Sequence, residues 1–413
     1  MDSHQVLLLV LGIVVFEFLL ERVLGVFNIR NLKPELPKAF SDVYGQEEYA
    51  KSLRYQKANY RFGLFSASIS FVVTFVVLAL GWLGKANTFL TAGIESPIVS
   101  ALVFFGAMFI VNDLLSLPFS LYRTFSIEEK FGFNRMTLKT FLLDKLKSYA
   151  LTGILGGGIL ALLMYLLGVL GKDYWWAFWI FLSVVLPLFN LLYTNVIMPI
   201  FNKFTPLEDG ELREAIMDYA KKVDFPLEGI YVMDGSKRST KANAFFSGFG
   251  RFKRIVLFDT LIEKLETEEL VAVLAHEVGH YKKKHILQGM VISILQTGLL
   301  LFLSSLFVFN PLFSEALGSE GMNVLYLNLM AFGLLFGPIS MIVSVGFNLL
   351  SRKNEYQADA WAVRTFGAEP MVGALKKLTA KNFGNLTPHS AYVFFHYSHP
   401  PLWQRLEAIE SVK

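Results

Sequence analysis

Seven long apolar runs constrain this chain more than any other feature: Val6–Val26, Phe62–Leu83, Ile98–Leu121, Tyr149–Leu170, Trp175–Ile200, Ile286–Phe309 and Val324–Leu350. A helix advances about 1.5 Å per residue, so about 20 apolar residues cross the hydrocarbon of a bilayer. The fifth and seventh runs are long enough to tilt. Composition agrees, with 54% of residues hydrophobic, only 17% charged and 39 phenylalanines. That much apolar surface calls for a lipid partner as well as a protein core. The expected fold is therefore mainly α, a polytopic membrane protein of seven transmembrane helices. The N-terminal MDSHQ has no basic region, so the first run reads as a retained span and no removable leader is expected.

Lysines and arginines alternate from loop to loop. Residues 1–5 hold none, 30–60 six, 84–97 one, 123–148 six, 171–174 one, 201–285 fourteen, 310–323 none and 351–413 eight. Basic loops belong on the cytoplasmic side, which puts the N-terminus outside the cytoplasm and the C-terminus within it. Residues 1–200 then hold five spans with basic cytoplasmic loops at 30–60 and 123–148. Residues 201–285 form the first part of a cytoplasmic domain, 286–350 two more spans, and 351–413 its second part. The net charge of +4 is modest, and no nucleic-acid partner is expected. With no cysteine in the chain, disulfides, thiolate metal ligands and a cysteine nucleophile are excluded.

Within the first cytoplasmic part stands His276-Glu277-Val278-Gly279-His280. Residues four apart share one face of a helix, so His276 and His280 can aim imidazole nitrogens at one cation. Glu277 is placed to act as general base on a water held there, the pattern of a zinc hydrolase. The stretch Glu266–His285 reads as one helix with Thr267 as N-cap. Lys282, Lys283 and Lys284 mark the membrane boundary, and no breaker separates them from Ile286, so the helix is expected to continue into the sixth span.

Catalytic zinc takes three protein ligands and keeps one open position. Glu315, Glu320 and His4 lie on the wrong side of the membrane. Glu355 directly follows the seventh span on the correct side, and Asp359 shares its helical face. Glu355 reads as the third ligand, and Asp359 as the group that receives the outer N–H of a ligating histidine. The residues alone equally allow a surface acidic pair.

These motifs, in this order, resemble the Ste24-type CAAX prenyl proteases, integral-membrane gluzincins of the M48 family. The likeness runs through Ser126–Asn134, Pro199–Leu207, Asp234–Ser239, Asn243–Gly250, Arg254–Thr260, His276–His280, Glu355–Asp359 and Tyr397–Leu402. It implies a water-filled chamber ringed by the seven helices and a zincin-type catalytic domain with a small β-sheet. It also implies one Zn2+ per chain on His276, His280 and Glu355, and cleavage of peptide or protein substrates near a C-terminus. In eukaryotes those substrates carry a prenylated cysteine; a prenyl requirement here is not implied. The membrane would be the bacterial cytoplasmic membrane or the eukaryotic endoplasmic reticulum, according to source.

Other positions take expected roles beside the metal. His399 is the candidate donor to a developing oxyanion, with Arg405 as a nearby catalytic cation; a structural histidine before Pro400-Pro401 and a structural arginine are the alternatives. Asn243, Ala244 and Phe245, followed by Gly248 and Gly250, read as an exposed edge strand able to pair with an extended substrate. Short β-prone runs at Ile230–Met233 and Ile255–Phe258 supply the sheet beside it. Glu17, Glu21, Asn112, Asp113, Asn190, Asn195, Gln296 and Asn348 fall inside spans and read as chamber lining or helix pairing rather than a transport path. The rival to a protease is a non-catalytic membrane scaffold or transporter with a structural metal site, which a closed four-ligand site would favour.

Overall fold

The computed structural model describes residues 2–247 and 253–412. Gly248 and Gly250, and the side chains of Asn190 and Phe245, lie outside the described residues. The molecule is mainly helical, with one four-stranded sheet among the described residues, and its buried residues gather in two large cores and a smaller aromatic cluster.

The distal core holds Val6, Val10, Leu78, Ala101, Phe104, Leu167, Tyr174, Leu301, Leu317 and Leu327. The other core holds Phe40, Tyr44, Tyr49, Ile216, Val271, Ala275, Met371 and Leu406. Long helices connect the two. Ser3–Arg30 leaves the distal core at Val6 and ends where the Asn31 side-chain amide donates to the Thr387 carbonyl at 2.9 Å. Gln46–Ala79 returns from Tyr49 to Leu78. Pro97–Phe131 leaves Ala101 and ends in an aromatic knot of Tyr55, Phe131, Phe133 and Phe383. Their middle stretches present large apolar side chains outward, including Phe65, Val72, Leu114 and Leu115. Such a surface suits lipid.

Among the described residues, four helices are long and apolar enough to cross a membrane: Gln46–Ala79, Pro97–Phe131, Leu138–Phe189 and His285–Phe307. Leu325–Leu335 and Gly337–Thr365 make a fifth if the pair, bent by 54°, is taken as one span. The stretch Leu138–Phe189 has 52 residues; as a straight rod it would reach about 78 Å, more than twice the hydrocarbon thickness. It does not run straight. Gly171 takes φ +56° in a three-residue turn, and helix Gly157–Leu170 packs against Tyr174–Leu192 beyond it. The seventh apolar run, expected as one helix, is broken at Phe336-Gly337, and its second half runs on without interruption from Gly337 to Thr365.

The sheet strands are β1 (Phe204–Pro206), β2 (Leu227–Met233), β3 (Ala244–Ser247) and β4 (Lys253–Phe258). Their order is β1-β2-β4-β3, with β2 and β4 parallel and the outer strands antiparallel to their neighbours. β2 and β4 contain the two β-prone runs read from the sequence; β1 was not foreseen. β3 is an edge strand, beginning at Ala244 rather than at the expected Asn243.

Two expectations about the histidine-bearing helix are overturned. Helix Thr267–Lys282 does not continue into the sixth span: it ends with Lys283 as C-cap, and a separate helix begins at His285. Lys284 between them takes φ +60°, the left-handed conformation that ends a helix and that a lysine side chain does not advertise. Glu266, not Thr267, occupies the N-cap, and its N–H donates to Glu269 at 3.0 Å.

Candidate metal centre

Helix Thr267–Lys282 is buried along most of its length and lies against Gly337–Thr365. Gly279 makes that contact close. A Cβ there would stand 3.0 Å from the Ala358 Cα and 3.0 Å from the Trp361 Cβ. The small residue between the two histidines lets one helix backbone approach the other, bringing His276 and His280 to Glu355.

The Nε2 atoms of His276 and His280 are 3.1 Å apart. Glu355 Oε2 is 3.5 Å from the first, and Oε1 is 3.2 Å from the second. Atoms bound about 2.0–2.1 Å from a tetrahedral ion lie about 3.3 Å from one another, so the donor set fits one metal ion. A second observation agrees: Glu355 Oε2 is buried without a hydrogen-bond partner, a state that a buried carboxylate oxygen rarely keeps. Two imidazoles and a carboxylate are also ordinary ligands for a borderline divalent metal.

Behind His276, its Nδ1 lies 2.8 Å from Asp359 Oδ1. Asp359 in turn accepts two guanidinium donors from Arg405, at 2.8 Å to Oδ2 and 2.6 Å to Oδ1. Arg405 is buried and also reaches 3.5 Å from Glu355 Oε2. Burial alone would raise the Asp359 carboxyl, but the Arg405 and His276 hydrogen bonds outweigh it and hold it at about 2. Glu355 is likewise held at about 2, because contact with His280 and the charges of His276, Arg405 and His399 overcome its burial. Both carboxylates stay ionised at neutral pH, ready to balance a cation.

His280 has its own support, which the sequence reading did not foresee. The His285 Nδ1 is 3.0 Å from the His280 Nδ1, and the His285 Nε2 is 3.1 Å from Gln357 Oε1. With Nε2 of His280 turned to the metal, its Nδ1–H donates to His285, whose Nε2–H donates to Gln357. Only the break at Lys284 puts His285 in that place.

Glu277 is half-buried and makes no ion pair among the described residues. His399 is placed by the turn before Leu402–Glu410. Its side chain is 63% exposed, with Nε2 3.4 Å from Glu355 Oε1, so it borders the centre from the open side. Ala244 packs on the core that carries the metal helix. The carbonyl of Asn243 accepts from the Phe258 N–H at 3.3 Å, so the backbone groups of Ala244 and Phe246 point away from the sheet. The side chain of Asn243 covers one of them, accepting from the Ala244 N–H at 2.9 Å.

The model described as CAAX prenyl protease N-terminal, five membrane helices, matches residues 26–203, and that of peptidase family M48 matches residues 206–413. The chain belongs to peptidase family M48. CAAX prenyl protease 1 of Saccharomyces cerevisiae is 35% identical over 431 residues, spanning 98% of this chain and 95% of that one. The Arabidopsis thaliana homolog is 36% identical over 97% of this chain and 96% of its own, and the Homo sapiens homolog 33% over 92% and 89%. The crystal structure of S. mikatae Ste24p matches with a TM-score of 0.93 at 34% identity, covering 98% of this chain and 99% of that one. This M48 chain is thus a membrane metallopeptidase, the family that its motifs resemble.

Proposed function

We propose that the chain is a seven-span zinc endopeptidase that cuts extended peptide tails near their C-terminus, among them CAAX-type tails with a prenylated cysteine. The observation that carries this reading is the trio His276, His280 and Glu355 with Glu277 half-buried beside it. The relatives are named CAAX prenyl protease 1, which favours that substrate class. Zinc is favoured by the two-imidazole, one-carboxylate set and its near-tetrahedral spacing.

A seven-span topology is supported by how helices join the two cores. Besides the three connecting helices described, the chain passes from Asp144, paired with Arg238 at 2.8 Å, to Leu167 in the distal core. It returns from Tyr174 to Asn202, which donates to Asp234 at 3.2 Å. His285–Phe307 leaves the metal centre for Leu301, and the bent pair returns from Leu327 to Glu355. Counting each passage gives seven. The lysine and arginine distribution favours a cytoplasmic metal side. Ionisable groups along the spans favour a hydrated chamber: Asp113 meets Lys145 at 2.5 Å, and Glu21 lies 3.5 Å from His396.

One zinc on the trio would polarise an attacking water and the scissile carbonyl. Glu277 accepts the proton of that water and returns it to the departing amine. His399, exposed beside the trio with its Nδ1 2.9 Å from Ser398 Oγ, donates from Nε2 to the developing oxyanion. Arg405 works through Asp359, which fixes the tautomer of His276, so its role is positioning. The outward backbone groups of β3 at Ala244 and Phe246 pair with the substrate, once the Asn243 side chain turns from the Ala244 N–H to the incoming chain.

The test joins metal content to cleavage of prenylated and unprenylated C-terminal peptides, on purified wild type and Glu277→Gln. One zinc in both, with cleavage only in wild type and lost to a chelator, is expected. Cleavage by Glu277→Gln would remove Glu277 as the base. One zinc with no cleavage by either protein would favour a structural metal site.

A further inference from the structure

Helix Gln46–Ala79 is longer than its membrane crossing requires. Its 34 residues extend about 51 Å, roughly 20 Å more than the hydrocarbon core. The apolar part begins at Phe62, so the turns before it stand outside the hydrocarbon. Along one face of those turns run Lys51, Arg54, Lys57 and Arg61. Lys130, near the end of Pro97–Phe131, joins them. With Ala58 and Phe131 these five cations line a single cavity of about 380 Å³.

Glu47, four residues before Lys51 on the same helix, makes no ion pair with it among the described residues, and other nearby carboxylates are engaged elsewhere. Glu48 lies 3.4 Å from Lys381, Glu128 holds Lys241 at 2.9 Å, Asp42 holds Lys376 at 2.9 Å, and Glu129 accepts from Asn134 at 2.7 Å. None of the five cations makes an ion pair among the described residues. Lys51 has only the face of Phe383, 5.7 Å from the ring centroid. Five like charges around one cavity repel one another, and an anion inside would relieve them.

Depth indicates which anion. Phe62 packs on Tyr122 and Phe119 at centroid distances of 5.2 Å and 6.3 Å. Tyr122 and Phe65 are 55% and 59% exposed, an aromatic belt of the kind that sits at the membrane surface. Arg61 adjoins that belt, and the cavity opens just beyond it, at the level of lipid phosphates. We propose that this cavity is a binding site for the phosphate headgroup of an acidic phospholipid. Five cations gathered around one concave site distinguish it from a diffuse basic surface. The assignment rests on the membrane reading above for its depth, and not on peptidase activity.

The test uses the full chain in mixed micelles and a phosphatidylglycerol with a fluorescent acyl chain, with phosphatidylcholine and glycerol 3-phosphate as competitors. Arg54→Gln/Lys57→Gln changes two exposed side chains, and Arg61→Gln/Lys130→Gln two more. Each pair is expected to weaken binding about thirtyfold, about fivefold per charge. Lys283→Gln/Lys353→Gln, which removes as much charge from another basic cavity, should leave binding within about twofold of wild type. Phosphatidylcholine should not compete. Equal loss in the control pair, or none in the cavity pairs, would overturn the site. Competition by glycerol 3-phosphate as effective as by the lipid would overturn the lipid assignment in favour of a soluble phosphate. Metal content, measured on every variant, should not change, so failure of this proposal is separable from failure of the peptidase reading.

Discussion

Asp359 and Arg405 meet behind His276, where one carboxylate takes both ends of a guanidinium fork, at 2.8 Å and 2.6 Å, while its Oδ1 also faces the imidazole Nδ1. The arginine holds the aspartate, and the aspartate holds the histidine. Asp359→Asn keeps the shape but removes the charge that favours an N–H at Nδ1. Metal affinity should fall about 10–100-fold, with the fold retained. Competition with a chromogenic chelator measures it, and unchanged affinity would reduce Asp359 to packing.

His285 should matter to the metal although it does not touch it. His285→Ala leaves the His280 Nδ1–H without its acceptor, and metal affinity should drop about tenfold or more. His285→Asn, which can offer an acceptor, should recover part of the loss. An alanine variant with wild-type affinity would show that His280 needs no such partner.

Gly279→Ala should separate the two metal-bearing helices, because the added methyl meets backbone of Ala358 at 3.0 Å rather than a pliable side-chain tip. Overpacking of this kind typically costs about 1–3 kcal/mol. The expected result is a lower unfolding midpoint together with weaker metal binding. A midpoint equal to wild type would mean that the helices yield without cost.

The expectations that succeeded were periodic ones. A spacing of four puts His276 beside His280, and Glu355 and Asp359 lie on one helix. Gly337–Thr365 then brought Glu355 and Asp359 to the site on one rigid helix. What stayed hidden depended on positions without a chemical label. A lysine, not a glycine, bends the chain at residue 284, so the end of the metal helix and the role of His285 were illegible. β1 has three residues, too few for an alternating pattern. Phe336-Gly337 breaks an apolar run whose composition does not change across the bend.

Reporter fusions check the topology. A reporter at residue 315 should lie opposite one at residue 360 across the membrane. Reporters on the same side would break the seven-passage arrangement.

High pH should loosen the end that holds the metal. Tyr44 donates to the Ala380 carbonyl at 2.8 Å, and burial pushes its hydroxyl up to about 12; Tyr397 is also pushed to about 12 by burial. A folded value above the unfolded one means that the stabilisation is complete below about pH 10 and disappears as pH rises towards 12. Each tyrosine contributes on the order of 2 kcal/mol to that loss. Tyr44→Phe should flatten the decline in unfolding midpoint over this window, and an unchanged decline would assign it to other groups.

Between His280 and Glu355 the polypeptide leaves for the distal core and comes back along helices His285–Phe307, Leu325–Leu335 and Gly337–Thr365. A nascent chain that has made both histidines is therefore still inert, since the carboxylate is supplied only by the end of the last long helix. Correct insertion becomes a condition for acquiring proteolytic power. A product released before residue 355 would carry two of the three ligands and no complete site.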